Sequence, residues 1–163
     1  MSEPDNVDRQ AACHCAHTEL AEIIEAAKRI APHVEESPVI ELPLDLPGKR
    51  IFIKDEGHNQ AGAFKLRGAL NAVLSRPRSE ISGGVCTVGS GNMAYAVATA
   101  ARIAGVPMAA YMYAHAPQSK MEGVRANGGE VRVVSDETYW SYALAKPLPT
   151  RTGAISIRSP IRL

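Results

Sequence analysis

The stretch "GVCTVGSGNMAYAVATAARIAGVPMAAYMYAHAPQSKMEGVRANGGEVRVV", residues 84–134, decides the fold. It opens with "GVCTVG", a short apolar run of the buried-strand type. "NMAYAVATAARIAG" follows as an alanine-rich helix ending at Gly105, then "VPMAAYMY" as a second strand. "PQSKMEGVRAN" predicts a helix opening at Pro117, "GG" a turn and "EVRVV" a third strand. Strand, helix, strand, helix, strand in this order calls for an α/β fold built on a parallel sheet with right-handed crossovers.

Towards the carboxyl end, "DETYWSYALA" adds a helix with Asp136 as its cap. Two prolines in "KPLPTRTGAISIRSPIRL" break it, and "AISIRS" is a short alternating segment with no helix after it. Towards the amino end, residues 1–16 read as a flexible leader. A first helix starts at Thr18, its expected cap, places Leu20, Ile23, Ile24, Ala27 and Ile30 on one face, and stops at Pro32. "PVIEL" and "RIFIKDE" are extended segments separated by the turn-forming "DLPGK". A helix over 63–75 then ends before "RPRSEISGG".

The 163 residues are 45% hydrophobic and 21% charged, with a formal net charge of +1. This describes one soluble globular domain or two small lobes. Near-neutral charge leaves no electrostatic footprint for nucleic acid, and no run approaches the roughly 18 apolar residues that span a bilayer. The polar start "MSEPDNVDRQ" is unlike a secretory signal, so a cytoplasmic protein is the default expectation. Cys13, His14, Cys15 and His17 in "CHCAH" could bind zinc, but no second pair stands at finger-like spacing, and no metal site is expected. Cys86, in an apolar run, reads as a core thiol.

Ligands of parallel sheets bind beyond the carboxyl ends of the strands. There the sequence has "GSGNM": Gly89, Ser90, Gly91 and Asn92 lead into a helix whose exposed amides favour an anion. The plainer alternative is a turn with Asn92 as cap, and the turn lacks the second spacing of the dinucleotide fingerprint, which weakens a nucleotide-binding reading. The other unusual stretch is "NQAGAFKLRGALNAV", residues 59–73. Three and four residues from Lys65 stand Ala61, Gly62, Gly68 and Ala69, and glycine in a helix interior costs about 1 kcal/mol relative to alanine. Either a neighbouring helix packs closely here while Lys65 snorkels to water, or the space serves something attached to the amine.

Taken together, "GAFKLRGALNAV", "GSGNMAYAVATAARIAGVP" and "APQSKMEGVRANGGEV" closely resemble, in order and spacing, the threonine and serine dehydratase branch of the pyridoxal-phosphate enzymes with the tryptophan synthase beta-subunit fold. Serine racemases and hydroxyaspartate ammonia-lyases belong to that branch. The similarity runs from Arg29 to about Val134. It implies the α/β, parallel-sheet three-layer architecture of that fold. Residues 17–78 would fall in the larger cofactor domain and 79–150 in the smaller α/β domain, with 151–163 a return segment cut short.

The resemblance also implies pyridoxal 5'-phosphate as cofactor. Lys65 matches the lysine that forms the internal Schiff base, Phe64 the aromatic residue that walls the ring, and Asn92 the asparagine contacting the ring oxygen. Ser90, with Gly91 and Asn92, matches the loop that grips the substrate carboxylate, and Ser90 is the acid or base of racemising members. Gly89 and Met93 depart from the family loop, which has a hydroxyl residue and a histidine there, and Ala63 stands where serine is commoner. The glycine-rich phosphate loop of the family's later half is missing, since Gly83–Gly84 and Gly128–Gly129 read as turns at strand starts.

The expectation is therefore a pyridoxal-phosphate-dependent lyase acting on serine, threonine or a related hydroxy amino acid, or the amino-terminal fragment of one. The alternative is a truncated remnant or association module with no turnover. Partners would be a small amino-acid substrate and a second copy or a polypeptide supplying the missing half, with neither nucleic acid nor membrane involved.

Overall fold

The computed structural model describes residues 18–144 and 155–157; the leader, the Cys13, His14, Cys15 and His17 cluster and most of segment 151–163 lie outside the described residues. Helix α1 (Leu20–Ile30) is capped by Glu19 rather than Thr18. Glu19 and Glu22 form a reciprocal capping box, the Glu19 N–H donating to Glu22 Oε2 at 2.9 Å. Pro32 follows in a 3-10 turn, Ala31–His33. The apolar face predicted for this helix is only partly used: Ile30 is buried, while Leu20, Ile23 and Ile24 are exposed.

Strands β1 (Val39–Glu41) and β2 (Phe52–Lys54) pair antiparallel with Ile40 opposite Ile53, and all six residues are exposed. A 3-10 turn at Glu56–His58 leads to helix α2 (Lys65–Leu74), whose first residue is the singled-out lysine. The helix does not extend back to residue 63 because Gly62, at φ +61°, sits in a left-handed turn. Ala61 and Gly62 are thus turn residues, not helical neighbours of Lys65. A short helix α3 (Arg78–Ile81) occupies "RPRSEISGG", where none was predicted.

The remainder follows the predicted alternation: β3 (Val85–Val88), α4 (Asn92–Ala104), β4 (Met108–Tyr113), α5 (Gln118–Ala126), β5 (Glu130–Val134), α6 (Asp136–Leu144) and β6 (Ile155–Ser156). The cap of α6 is Ser135, whose Oγ accepts from the Thr138 N–H at 3.2 Å. Asp136 is instead the first helical residue, where its charge complements the helix dipole.

The four-stranded sheet has the order β5-β4-β3-β6 with every pairing parallel. Strand alternation sorts its side chains into two faces. Val85, Met108, Ala110 and Met112 join Leu66, Leu70, Val97 and Val124 in a core beneath α2, α4 and α5. Cys86 and Tyr111 point the other way, and Tyr111 meets Tyr142 of α6 edge to face at 5.3 Å. Helices, sheet and helix make three layers. The alanines of α4 are explained by its place between α2 and the sheet: Ala94, Ala96, Ala98, Ala100 and Ala101 are all buried, and a helix apolar all round is one covered all round.

Candidate active site

Helix α4 begins four residues after the end of β3, so its amino terminus stands at the carboxyl edge of the sheet. Helix α2 packs along α4 in the most extensive helix-to-helix contact among the described residues. Beyond α2, Arg78 donates through Nη1 to the Ala104 carbonyl and through Nη2 to that of Gly105, at 2.8 Å. Arg78 thereby ties the segment that follows α2 to the carboxyl end of α4. Asn92, the first residue of α4, stands where parallel sheets bind ligands, and Lys65 is the first residue of the helix packed along it.

The turn that precedes α4 is Gly89, Ser90 and Gly91. The Gly89 N–H donates to the Tyr111 carbonyl at 3.2 Å and extends the strand ladder by one residue. Gly91, not Asn92, is the helix cap, and the first intrahelical bond runs from the Tyr95 N–H to the Gly91 carbonyl at 3.4 Å. The side chain of Asn92 is not spent on capping and is exposed, while Ser90 and Gly91 are half-buried. The amides of the first turn have no acceptor within the helix and sit at the positive end of its dipole. A Cβ at Gly91 would meet nothing within 4 Å, so space opens directly beside them.

Lys65 is half-buried, and its Nζ lies 4.7 Å from the centroid of the Phe64 ring. Phe64 caps α2 and is 60% exposed. One turn along the helix, Ala69 is buried in the core, whereas Gly68 is exposed and a Cβ there would also meet nothing within 4 Å. Among the described residues no helix packs against Gly68, so close packing does not account for it. A half-buried lysine, open space at Gly68 and Gly91, an uncommitted carboxamide and a helix start with unpaired amides fit the aldehyde, the ring and an anionic amino-acid carboxylate. The glycine pairs at 83–84 and 128–129 lie at strand starts, on the opposite edge from this site.

Sequence reasoning missed the side chains that fix the start of α2. Arg67 Nε donates to both Glu56 oxygens at 2.9 Å, and its Nη2 donates to Ser37 Oγ at 2.7 Å and to the Glu35 carbonyl at 3.0 Å. Asn59 Oδ1 accepts from the Ala61 N–H at 3.0 Å, and Nδ2 donates to the carbonyls of Glu56 at 2.7 Å and Ala63 at 3.0 Å. Burial pushes the Glu56 carboxyl up, but hydrogen bonds from Arg67 and Ser37 and the charges of Arg67 and Lys54 outweigh it, leaving it below the ordinary value. The signal for Asn59 was its place three residues before a glycine, a turn-forming arrangement. No local signal marks Arg67, whose partners are 11 to 32 residues away.

A cavity of about 140 Å³ lies at the other edge of the sheet, lined by Gly84, Cys86, Pro107, Tyr111, Glu130 and Arg132. Arg132 is already engaged there, donating to both Glu130 oxygens and to the Tyr111 hydroxyl. This is the edge at which parallel sheets do not bind substrates, and the candidate site is elsewhere. No helix among the described residues is long and apolar enough to cross a membrane.

Comparison with known proteins bears on the same residues. A family model described as pyridoxal-phosphate dependent enzyme matches residues 30–159. The serine racemase of Oryza sativa subsp. indica is 39% identical over 147 residues, covering 88% of this chain and 43% of the rice protein. The beta-hydroxyaspartate dehydratase of Paracoccus denitrificans is 37% identical over 112 residues, covering 68% of this chain and 36% of that protein. The solved structure of maize serine racemase superposes with a TM-score of 0.78 at 38% identity, over 89% of this chain and 44% of the maize chain. The chain therefore spans less than half the length of these relatives, and within that span fold and sequence agree. It belongs to the family of pyridoxal-phosphate dependent enzymes.

Proposed function

We propose that this chain carries the lysine-bearing half of an ammonia-lyase that acts on a small hydroxy amino acid such as serine, threonine or hydroxyaspartate. The observation that supports the reading is the packing of α2 along α4, with Lys65 starting one helix and the Ser90–Gly91–Asn92 turn leading into the other. Lys65 would hold the cofactor through its amine, with Phe64 against the ring and the Asn92 carboxamide towards the ring oxygen. When bound, pyridoxal phosphate supplies the electron sink that makes the α-hydrogen of an amino acid acidic. The Lys65 amine, released from the cofactor when the substrate's own amino group takes its place, would take that proton. The first-turn amides of α4 and the Ser90 hydroxyl hold the substrate carboxylate and so orient the α-hydrogen towards the lysine. A hydroxyl on the β-carbon then leaves, and hydrolysis of the enamine yields a keto acid and ammonia. Ser90 returning a proton from its own side would instead give racemisation, the activity for which the rice and maize relatives are named.

A second reading, an association module without turnover, is favoured by the exposed apolar residues of α1 and of the β1–β2 hairpin. One experiment separates the two. The purified chain is mixed with pyridoxal phosphate, reduced with borohydride and digested, and the modified lysines are located by mass spectrometry. Selective modification of Lys65, abolished in Lys65→Ala, together with ammonia release from serine, threonine or hydroxyaspartate, is the expected result. Selective modification without ammonia release supports the association module. Modification spread evenly over all lysines overturns both the cofactor role of Lys65 and the lyase.

A further inference from the structure

We infer that Arg67 is a positioning residue: with Glu56 and Ser37 it fixes the rotation of α2 and so the direction in which Lys65 points. The inference rests on the reading of Lys65 as the cofactor lysine.

Residues 65 and 67 are two apart, which turns their side chains by about 200° around the helix axis. Lys65 and Arg67 thus leave the first turn of α2 on opposite sides. A Cβ at Gly68, one turn from Lys65, would meet nothing within 4 Å. The Arg67 side is bound to two separate pieces of chain. Nε donates to both Glu56 oxygens in the 3-10 turn before the helix, and Nη2 reaches Ser37 Oγ and the Glu35 carbonyl ahead of β1. Lys54, at the end of β2, closes the group by donating to the Ser37 carbonyl at 3.3 Å and pairing with Glu56 at 3.8 Å. Ser37 is itself buried, and Glu56 exposes only 15% of its side chain, so this is a docked group and not a surface ion pair.

A helix start needs this kind of restraint. In the first turn of α2 the Leu66 N–H donates to the Ala63 carbonyl and the Arg67 N–H to the Phe64 carbonyl, each at 3.2 Å, but helix ends fray and such bonds alone leave the turn easily opened. The cap of α2, Phe64, offers no side-chain hydrogen bond. Asn59 organises the turn leading in, but its bonds end at Ala63, two residues short of the lysine. Besides the burial of Leu66 and the Arg29 bond to Asn71 further along, Arg67 carries a polar restraint past Lys65 and onto the first turn of the helix. A planar guanidinium with donors on two edges can span a carboxylate on one side and a hydroxyl plus a carbonyl on the other, which an ammonium cannot do from one fixed position. Reacting groups held in place gain rate through orientation, and a misplacement of about 1 Å can cost roughly a hundred-fold.

The test measures the rate at which Lys65 is modified by pyridoxal phosphate and borohydride relative to Lys28 and Lys49, exposed lysines of the same full-length chain. Wild type, Arg67→Met, Arg67→Lys, Glu56→Gln and Ser37→Ala are compared, each at the same interval below its own melting midpoint. The expected result is a roughly ten-fold or greater loss of Lys65 selectivity in Arg67→Met, incomplete rescue in Arg67→Lys and an intermediate loss in Ser37→Ala. A purely structural role would lower the melting midpoint and leave the ratio unchanged, and wild-type selectivity in a folded Arg67→Met overturns the inference. If Arg67→Met does not fold, Glu56→Gln and Ser37→Ala decide, since wild-type selectivity in both has the same meaning. Failure of the underlying reading looks different: the wild type itself then shows no preference for Lys65.

Discussion

Two glycines at the residue scale show how differently the same side chain can be required. Gly84 sits at φ +102°, and a Cβ there would lie 2.8 Å from the Pro107 carbonyl oxygen and 3.2 Å from the Pro107 Cβ. Both conformation and space exclude a side chain at the point where β3 starts beside β4. Gly84→Ala is expected to cost at least about 2 kcal/mol of unfolding free energy, read by urea denaturation. Gly68 has helical backbone and empty surroundings. Gly68→Ala should therefore stabilise the chain by about 0.5–1 kcal/mol while slowing modification of Lys65 by pyridoxal phosphate, because the added methyl enters the space the ring would use. A stabilised variant with unchanged Lys65 reactivity would detach Gly68 from the site. The small residues that flank Lys65 on α2, Gly68 and Ala69, were legible in the sequence. The reason for Gly62 was not, because counting along a helix assumes a helix, and the chain at Gly62 is a left-handed turn.

Among the elements, most were visible in the sequence, the exposed α1, β1 and β2 as well as the buried ones, but composition alone announced burial only where cover is extensive. Helix α4 and strands β3 and β4 are covered by neighbours, and their composition says so. Helix α3 was missed because four residues give no period to read. The caps at Glu19 and Ser135 were each displaced by one residue from the expected position, the usual resolution of boundary signals. The docking of α2 onto the segments before it was invisible, since it joins residues distant in sequence through Arg67. Glu56 gives that docking a measurable signature. Its carboxyl titrates below the ordinary value in the folded chain, so near that value the unfolded state binds more protons. The stabilisation is fully present above about pH 4.3 and is lost as pH falls through the lowered folded value. Glu56→Gln should be less stable than wild type by about 1–2 kcal/mol at neutral pH, and the difference should shrink as pH falls from about 5 to about 3. A difference that stays constant across that range would remove the ion pair from the account.

For the whole molecule, the uneven burial of its two ends carries the consequence. The sheet and its helices enclose a continuous core, yet α1 and the β1–β2 hairpin turn apolar side chains outwards, with Ile23 at 53% and Phe52 at 50% exposure. Single exposed apolar residues are ordinary, but Leu20, Ile23 and Ile24 form one stripe of a helix, and a two-stranded hairpin exposed on both strands is marginal by itself. The matched relatives are more than twice as long as the span they share with this chain. Surfaces of this kind on the shared span are suited to packing against the rest of such a fold, whether on the same polypeptide or another. The full chain should consequently bind a hydrophobic dye and associate with increasing concentration in sedimentation experiments. Replacing Ile23 with Glu, Ile24 with Lys and Phe52 with Thr should weaken both effects and leave the unfolding free energy within about 0.5 kcal/mol per site of the original, the range for surface positions. Losses of 2 kcal/mol or more at any of these sites would instead mark them as core residues and overturn the assignment of this surface to packing against the remainder of the family fold.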